Sequence, residues 1–283
     1  MVTISNDFLT ANFSEMGAEL KSLKSGTQEF IWNGDPAFWT GSAPVLFPIC
    51  SGLKDDEFIY EGKTYTMPKH GFARRTEFEI ESAKGNKATF LLSWNKAPHD
   101  NYPFKYEFRI TYTLVGKKLV VEYEIKNLTD GDMYFSVGAH EAYFCPEGIE
   151  NYEIVFEKSE NLDAYQLEGP LLTDNTKSYG KNTNVLQLEK SLFDNDCLIF
   201  KHLNSKSVCL CNKTTKQKIK VDFDGFYYML LWTVPGANYI CIEPWCGITD
   251  NVNTNKQLCD KEGIEKIEKS GNFYRIHSFE IID

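Results

Sequence analysis

A two-residue rhythm of apolar and polar side chains limits what this chain can fold into more than any other feature. In FKYEFRITYTLVGKKLVVEYEIKN (104–127) two alternating runs flank Val115-Gly116-Lys117-Lys118. Successive side chains of a strand point to opposite faces, so such runs read as half-buried strands joined by a hairpin. TEFEIESAKGNKATFLLSW (76–94) repeats the pattern around a Gly-Asn turn. Further short runs follow: MYFSVGAHEAYF, NYEIVFEK, NVLQLEK, CLIFKH, SVCLCN, QKIKVDFD, YYMLLWTV, YICIEPW and NFYRIHSFEII. Gly, Asn, Asp and Pro punctuate them. The 20 Phe and 15 Tyr suit strand faces better than helices. No stretch of about 12 residues carries a 3.6-residue apolar stripe. Short helices are expected only at 34–39, 190–194 and 260–267. The pattern predicts an all-β chain, with large antiparallel sheets closed as a sandwich or barrel. No Pro/Gly/Ser-rich tract, charge shift or internal repeat divides it, so residues 1–283 read as a single domain.

The totals exclude several classes of partner. A formal charge of -10 argues against DNA, RNA or an anionic membrane, and 26 lysines against only 4 arginines leave few planar forks for reading phosphate. The start, MVTISNDFLTANF, has no basic segment before an apolar run. Nowhere do the roughly 18 unbroken apolar residues of a membrane span occur. The eight cysteines are scattered, mostly within apolar strand-like runs, and a chain of 283 residues needs no staples. They read as reduced, buried small hydrophobes, and the expected location is cytoplasmic. Either a monomer or a homodimer is compatible with the sequence.

Few polar residues stand out. His99, in KAPHDNYP, and His202, in KHLNSK, read as surface residues, and His277, in YRIHSFEI, as a strand-face residue. His70 and His140 sit among glycines and aromatics, and each is a site candidate against a structural or solvent-facing role. Gly71 after His70 permits positive φ or close backbone approach. Glu243 follows the apolar run ICI, and Pro244 is expected to end regular pairing there. A partly desolvated carboxylate is a better proton acceptor near neutrality, so Glu243 beside an imidazole would make an acid–base couple. The bland alternative is a strand-end glutamate pointing into water. Of Trp32, Trp39, Trp94, Trp232 and Trp245, any one is more readily a core residue than a sugar-stacking surface; Trp232 is carried as the stacking candidate. Phosphate-cradling loops, HExxH, CxxC and GxSxG motifs do not occur.

Taken in order, PVLFPI (44–49), YTMPKHGFARR (65–75), VGAHEAYF (137–144) and CIEPWCGITD (241–250) resemble the aldose 1-epimerase (mutarotase) family. The closer likeness is to galactose mutarotase-related proteins of bacterial sugar operons. With the closing KEGIEKIEKSGNFYRIHSFEI the resemblance covers nearly the whole chain. It implies a galactose mutarotase-like supersandwich, a large antiparallel β-sandwich with an open sugar-sized cleft and no cofactor or metal. In that likeness Glu243 is the general base on the anomeric hydroxyl, and His140 the general acid on the ring oxygen. His70 binds on the ring-oxygen side, and Asp196 holds sugar hydroxyls, with Asp194 a close competitor. Two positions depart from the family pattern. PVLFPIxGRLK becomes PVLFPICSGLK, with Gly52 in place of a sugar-binding arginine, which leaves Lys54 or Arg74 to replace it. HPYF becomes His140-Glu141-Ala142-Tyr143-Phe144. The substrate expected is a free aldose, with a hexose 6-phosphate or a non-catalytic carbohydrate-binding role as alternatives.

Overall fold

The computed structural model describes residues 1–96 and 101–282, so His99 lies outside the described residues. The hairpin read from the alternating pattern forms as Tyr106–Val115 and Lys118–Asn127, each burying every second side chain. It lies within a nine-stranded sheet, between Lys87–Ser93 on one side and the eleven-residue strand Asn272–Ile282 on the other. Opposite it lies a seven-stranded antiparallel sheet containing Tyr239–Cys246. Phe279 meets Tyr143 edge-on at 5.4 Å, and Phe156 meets Phe200 at 6.2 Å, across the space between the sheets. One apolar cluster runs from Val2 to Ile281. The architecture is the large antiparallel β-sandwich of the mutarotase-like type.

The strand Tyr239–Cys246 is buried at every residue because both of its faces are covered. Ile240, Ile242 and Cys246 point into the inter-sheet core. Tyr239, Cys241, Glu243 and Trp245 alternate onto the other face, under the segments that carry Trp32, Trp39, Leu46 and His70. A strand covered on both faces reads as a continuous apolar run, which explains the lack of alternation in YICIEPW.

The structure corrects four local expectations. Pro244 does not end pairing: it stands opposite Met229 inside the strand. Its carbonyl accepts from Ala139 N, so its missing N–H faces the two-residue gap between the neighbouring strands Val137–Gly138 and Glu141–Phe144. A proline costs no ladder hydrogen bond where the partner strand is interrupted. No helix forms over 260–267: Asp260 only ends the 3-10 turn Leu258–Asp260. Gly263 adopts φ +71°, and a Cβ there would stand 2.6 Å from the Tyr228 ring; Glu265–Ile267 instead pairs with Met133–Phe135. At 34–39 there is a single turn tied by Asp35, whereas 190–194 does hold a short 3-10 helix, Lys190–Phe193. Cys259 is exposed, unlike the other free cysteines, which are buried or half-buried. Among the described residues no helix is long and apolar enough to cross a membrane.

Candidate active site

The gap in the strand beside Pro244 delivers His140. Ala139 is held twice: its N–H donates to Pro244 O at 3.1 Å, and its carbonyl accepts from Trp245 Nε1 at 3.0 Å. Gly138 is required just before it, because a Cβ there would stand 2.5 Å from the Trp245 ring. The His140 side chain then emerges on the same face as Glu243, with Nε2 3.4 Å from Oε2. That is longer than a well-formed hydrogen bond. Both side chains are buried, to 9% and 2% exposure. Trp39 stacks on the imidazole at 5.1 Å, and Trp232 presents its edge at 5.6 Å.

Burial drives the two groups in opposite directions. The Glu243 carboxyl is held well above its ordinary range, chiefly by desolvation; Lys69 opposes this, while Glu141 and Asp196 add to it. Desolvation pushes His140 down to about 3, against its own backbone carbonyl and with help from Arg74 and Lys69. His140 Nδ1 and Glu243 Oε2 have no hydrogen-bond partner among the described residues. Unpaired polar atoms at this depth are uncommon and characteristic of sites that bind or react.

His70 is fixed from its backbone. It takes φ +67°, and Gly71 follows at φ +68°, where a Cβ would meet the Phe47 carbonyl at 2.3 Å. Both properties anticipated for this glycine are therefore used. Ser51 N–H donates to His70 Nδ1 at 3.1 Å, and His70 N–H donates to Ser51 O at 2.8 Å. An Nδ1 that accepts leaves the proton on Nε2. Burial, then the neighbouring His140, holds this imidazole well below its usual range, so His70 is a neutral donor.

Six of the side chains named from the sequence border one cleft of about 260 Å³: His70, Arg74, His140, Asp196, Trp232 and Glu243. Asp194 does not line it, and neither does Arg75. Lys54 is turned away, donating to Val252 O at 2.7 Å. A side chain at Gly52 would start toward Pro170 and Thr249 at 3.7 Å, beside the cleft wall. Three contributors were not foreseen: Lys69, Trp39 and the backbone of Ser51. Arg74 donates to Lys69 O at 3.1 Å, which ties the two cations together, while its buried Nε has no partner among the described residues. His140, Cys241 and Glu243 place one nitrogen, one sulfur and one oxygen within 4.8 Å of one another. Such a set could gather round a metal ion, but burial holds the Cys241 thiol protonated, which works against thiolate ligation.

A family model described as aldose 1-epimerase matches residues 1–275. The chain is 33% identical to the plasmid-borne protein LacX of Lactococcus lactis subsp. lactis over 281 residues, covering 94% of each. Among solved structures, a galactose mutarotase related enzyme from Lactobacillus acidophilus superposes with a TM-score of 0.94 at 33% identity, over 99% of this chain and 97% of that one. A galactose mutarotase-like protein from Lactobacillus casei gives a TM-score of 0.94 at 27% identity over the whole of both chains.

Proposed function

The chain belongs to the aldose 1-epimerase family, and on that premise we propose that it interconverts the α and β anomers of a free aldose. The observation that carries this reading is the buried His140–Glu243 couple, 3.4 Å apart in a cleft of monosaccharide size. A hemiacetal carbon bears a hydroxyl and the ring oxygen, two oxygens that can face two groups so close together. Glu243 takes the proton of the anomeric hydroxyl while His140 gives one to the ring oxygen. The C1–ring oxygen bond breaks, and the open-chain aldehyde forms. Rotation about C1–C2 presents the other carbonyl face. On closure the hydroxyl, now acting as nucleophile, returns its proton to His140, and the new anomeric oxygen regains one from Glu243. Neither a free alkoxide nor an oxocarbenium ion has to form. His70 Nε2–H donates to the sugar, Asp196 accepts from its hydroxyls, and Trp232 with Trp39 covers its C–H faces.

The test follows optical rotation after dissolving crystalline α-D-glucose or α-D-galactose, with wild type and Glu243→Gln at equal concentration. Each proton transfer contributes about 10²–10⁴-fold, and the variant should lose a factor in that range. Decay at the buffer rate with both sugars would sink the free-aldose reading. A hexose 6-phosphate is the second reading, favoured by Lys69 standing with Arg74 on the cleft wall. It requires acceleration of the phosphorylated sugar that collapses in Arg74→Met. Binding of sugar without acceleration of any of these substrates would instead mark a non-catalytic carbohydrate-binding protein.

A further inference from the structure

Behind the cleft, on the far face of the strand Glu141–Phe144, lies a second carboxylate–imidazole pair that the acid–base reading leaves unused. Glu141 Oε1 meets His277 Nε2 at 2.9 Å, with side-chain exposures of 6% and 0%. Side chains alternate along the chain here, so His140 faces the cleft and Glu141 faces the space between the sheets. His277 comes from Asn272–Ile282 of the opposite sheet, where Tyr123 and Phe226 close round its ring at 5.5 and 5.8 Å. The hydrogen bond therefore spans the sandwich, one residue away from the imidazole in the cleft. Ionisable pairs this deep are rarely more stabilising than apolar groups of the same volume. Stability alone does not account for its position.

His140 needs an anchor of this kind. Catalytic imidazoles are commonly oriented by a hydrogen bond to the second ring nitrogen, yet Nδ1 of His140 has no partner among the described residues. Its ring is directed by stacking on Trp39 and by the course of the backbone through the strand gap. One end of that gap is held by the two hydrogen bonds of Ala139. At the other end the strand resumes at Glu141, opposite Ile242. We propose that Glu141 and His277 are positioning residues that clamp the resumption of the strand to the opposite sheet and so hold His140 within reach of Glu243. This rests on the acid–base reading of the cleft.

The clamp touches none of the sugar-binding side chains, so its loss should lower kcat and leave KM. The test is the double variant Glu141→Leu/His277→Leu, which removes the bond without leaving either group buried alone. It should fold, with kcat down about 10–100-fold and KM within about two-fold. Glu141→Gln keeps an acceptor for His277 and should restore kcat to within about three-fold of wild type. A folded double variant with kcat within about two-fold of wild type overturns the proposal. Should it not fold, Glu141→Gln/His277→Asn, neutral at both positions and with an asparagine too short to reach across, carries the same comparison. A second readout needs no turnover: ¹H–¹⁵N correlation spectra of the imidazoles, in which the His140 signals should move when the clamp is cut. Unmoved His140 signals in a folded variant overturn the positioning role. Absence of anomer exchange in wild type would instead overturn the acid–base reading, with the spectra still deciding the clamp.

Discussion

The depressed proton affinity of His140 can be weighed as folding free energy. In the unfolded chain the imidazole takes a proton near its ordinary value of 6.5, but in the folded chain only near about 3. A group whose folded pKa is depressed contributes stability above its unfolded pKa, and that stability is lost as pH falls toward the folded value. Between pH 7 and pH 4 the unfolded state gains roughly 2.5 log units of proton binding at this site and the folded state almost none. At about 1.4 kcal/mol per unit, wild type should lose about 3 kcal/mol through His140 alone. Glu243 works with the opposite sign. Its carboxyl is held above 4.5, so its contribution is present below 4.5 and lost as pH rises through its folded pKa. Burial, Glu141 and Asp196, which raise Glu243, all remain in His140→Gln, so that contribution and those of the surface carboxylates cancel to first order between the two proteins. The assay is urea unfolding of both proteins at pH 7 and pH 4. The drop in unfolding free energy should be larger in wild type by about 3 kcal/mol. Drops agreeing to within about 1 kcal/mol would mean that His140 takes up its proton in the folded state, and the reasoning from burial would fail.

Three further perturbations reach other parts of the molecule. Lys261 and Asp250 form an ion pair at 2.6 Å, each 3% exposed, and Asp250 also accepts from Lys54 N–H. Lys261→Met leaves that carboxylate without its cation and should cost about 3–5 kcal/mol in urea unfolding; a loss under about 1 kcal/mol would show the pair to be dispensable. Gly71→Ala combines a left-handed φ of +68° with a Cβ 2.3 Å from the Phe47 carbonyl. It should lower stability by more than the ~1–2 kcal/mol of the left-handed conformation alone and raise KM through displacement of His70, both read from one preparation. Asp196→Asn, at a cleft wall with φ +82°, should raise KM for a free aldose with kcat held within about three-fold, and an unchanged KM would remove Asp196 from the substrate contacts.

How much of this was legible in the sequence depended on what each residue's place was written in. The hairpin at 104–127 was legible because each strand buries one face, and alternation is the direct trace of that. The pair Asp163–Glu168 and Leu171–Ser178 left no such trace: its burial patterns are mixed, and DAYQLE and LLTDNTKS carry too few apolar residues to mark a face. Pro244 was misread because its tolerance depends on a gap in the neighbouring strand, a tertiary fact. In the cleft, His70, His140 and Glu243 were conspicuous for polar chemistry in apolar surroundings. Lys69 was not, since a lysine beside a histidine reads as an ordinary solvated charge. Trp39 is ordinary until the chain brings it against His140, and Ser51 acts through a backbone N–H that no side-chain pattern announces. Glu141 and His277 lie 136 residues apart, and only the packing of two sheets makes them a pair.

The opposed shifts of Glu243 and His140 bear on which reaction suits the couple. Burial raises one proton affinity and lowers the other, so the pair's single proton rests more readily on the carboxyl than on the imidazole. The proposed first step starts from the other arrangement, carboxylate and imidazolium, in which each group is a stronger base or acid for its task than it would be in water. On the proposed mechanism, hydrogen bonds from an anomeric hydroxyl to Glu243 and from His140 to a ring oxygen would favour that arrangement only while a sugar is bound. Ring opening would then pass one proton to Glu243 and take one from His140, yielding the neutral pair that the dry cleft prefers. Ring closure would reverse both transfers and leave carboxylate and imidazolium again, with the product anomer in place of the substrate. The groups would thus exchange roles between the two half-reactions without proton exchange with solvent. A couple of this kind fits a near-balanced, reversible exchange between two similar sugars better than a reaction that must be driven one way.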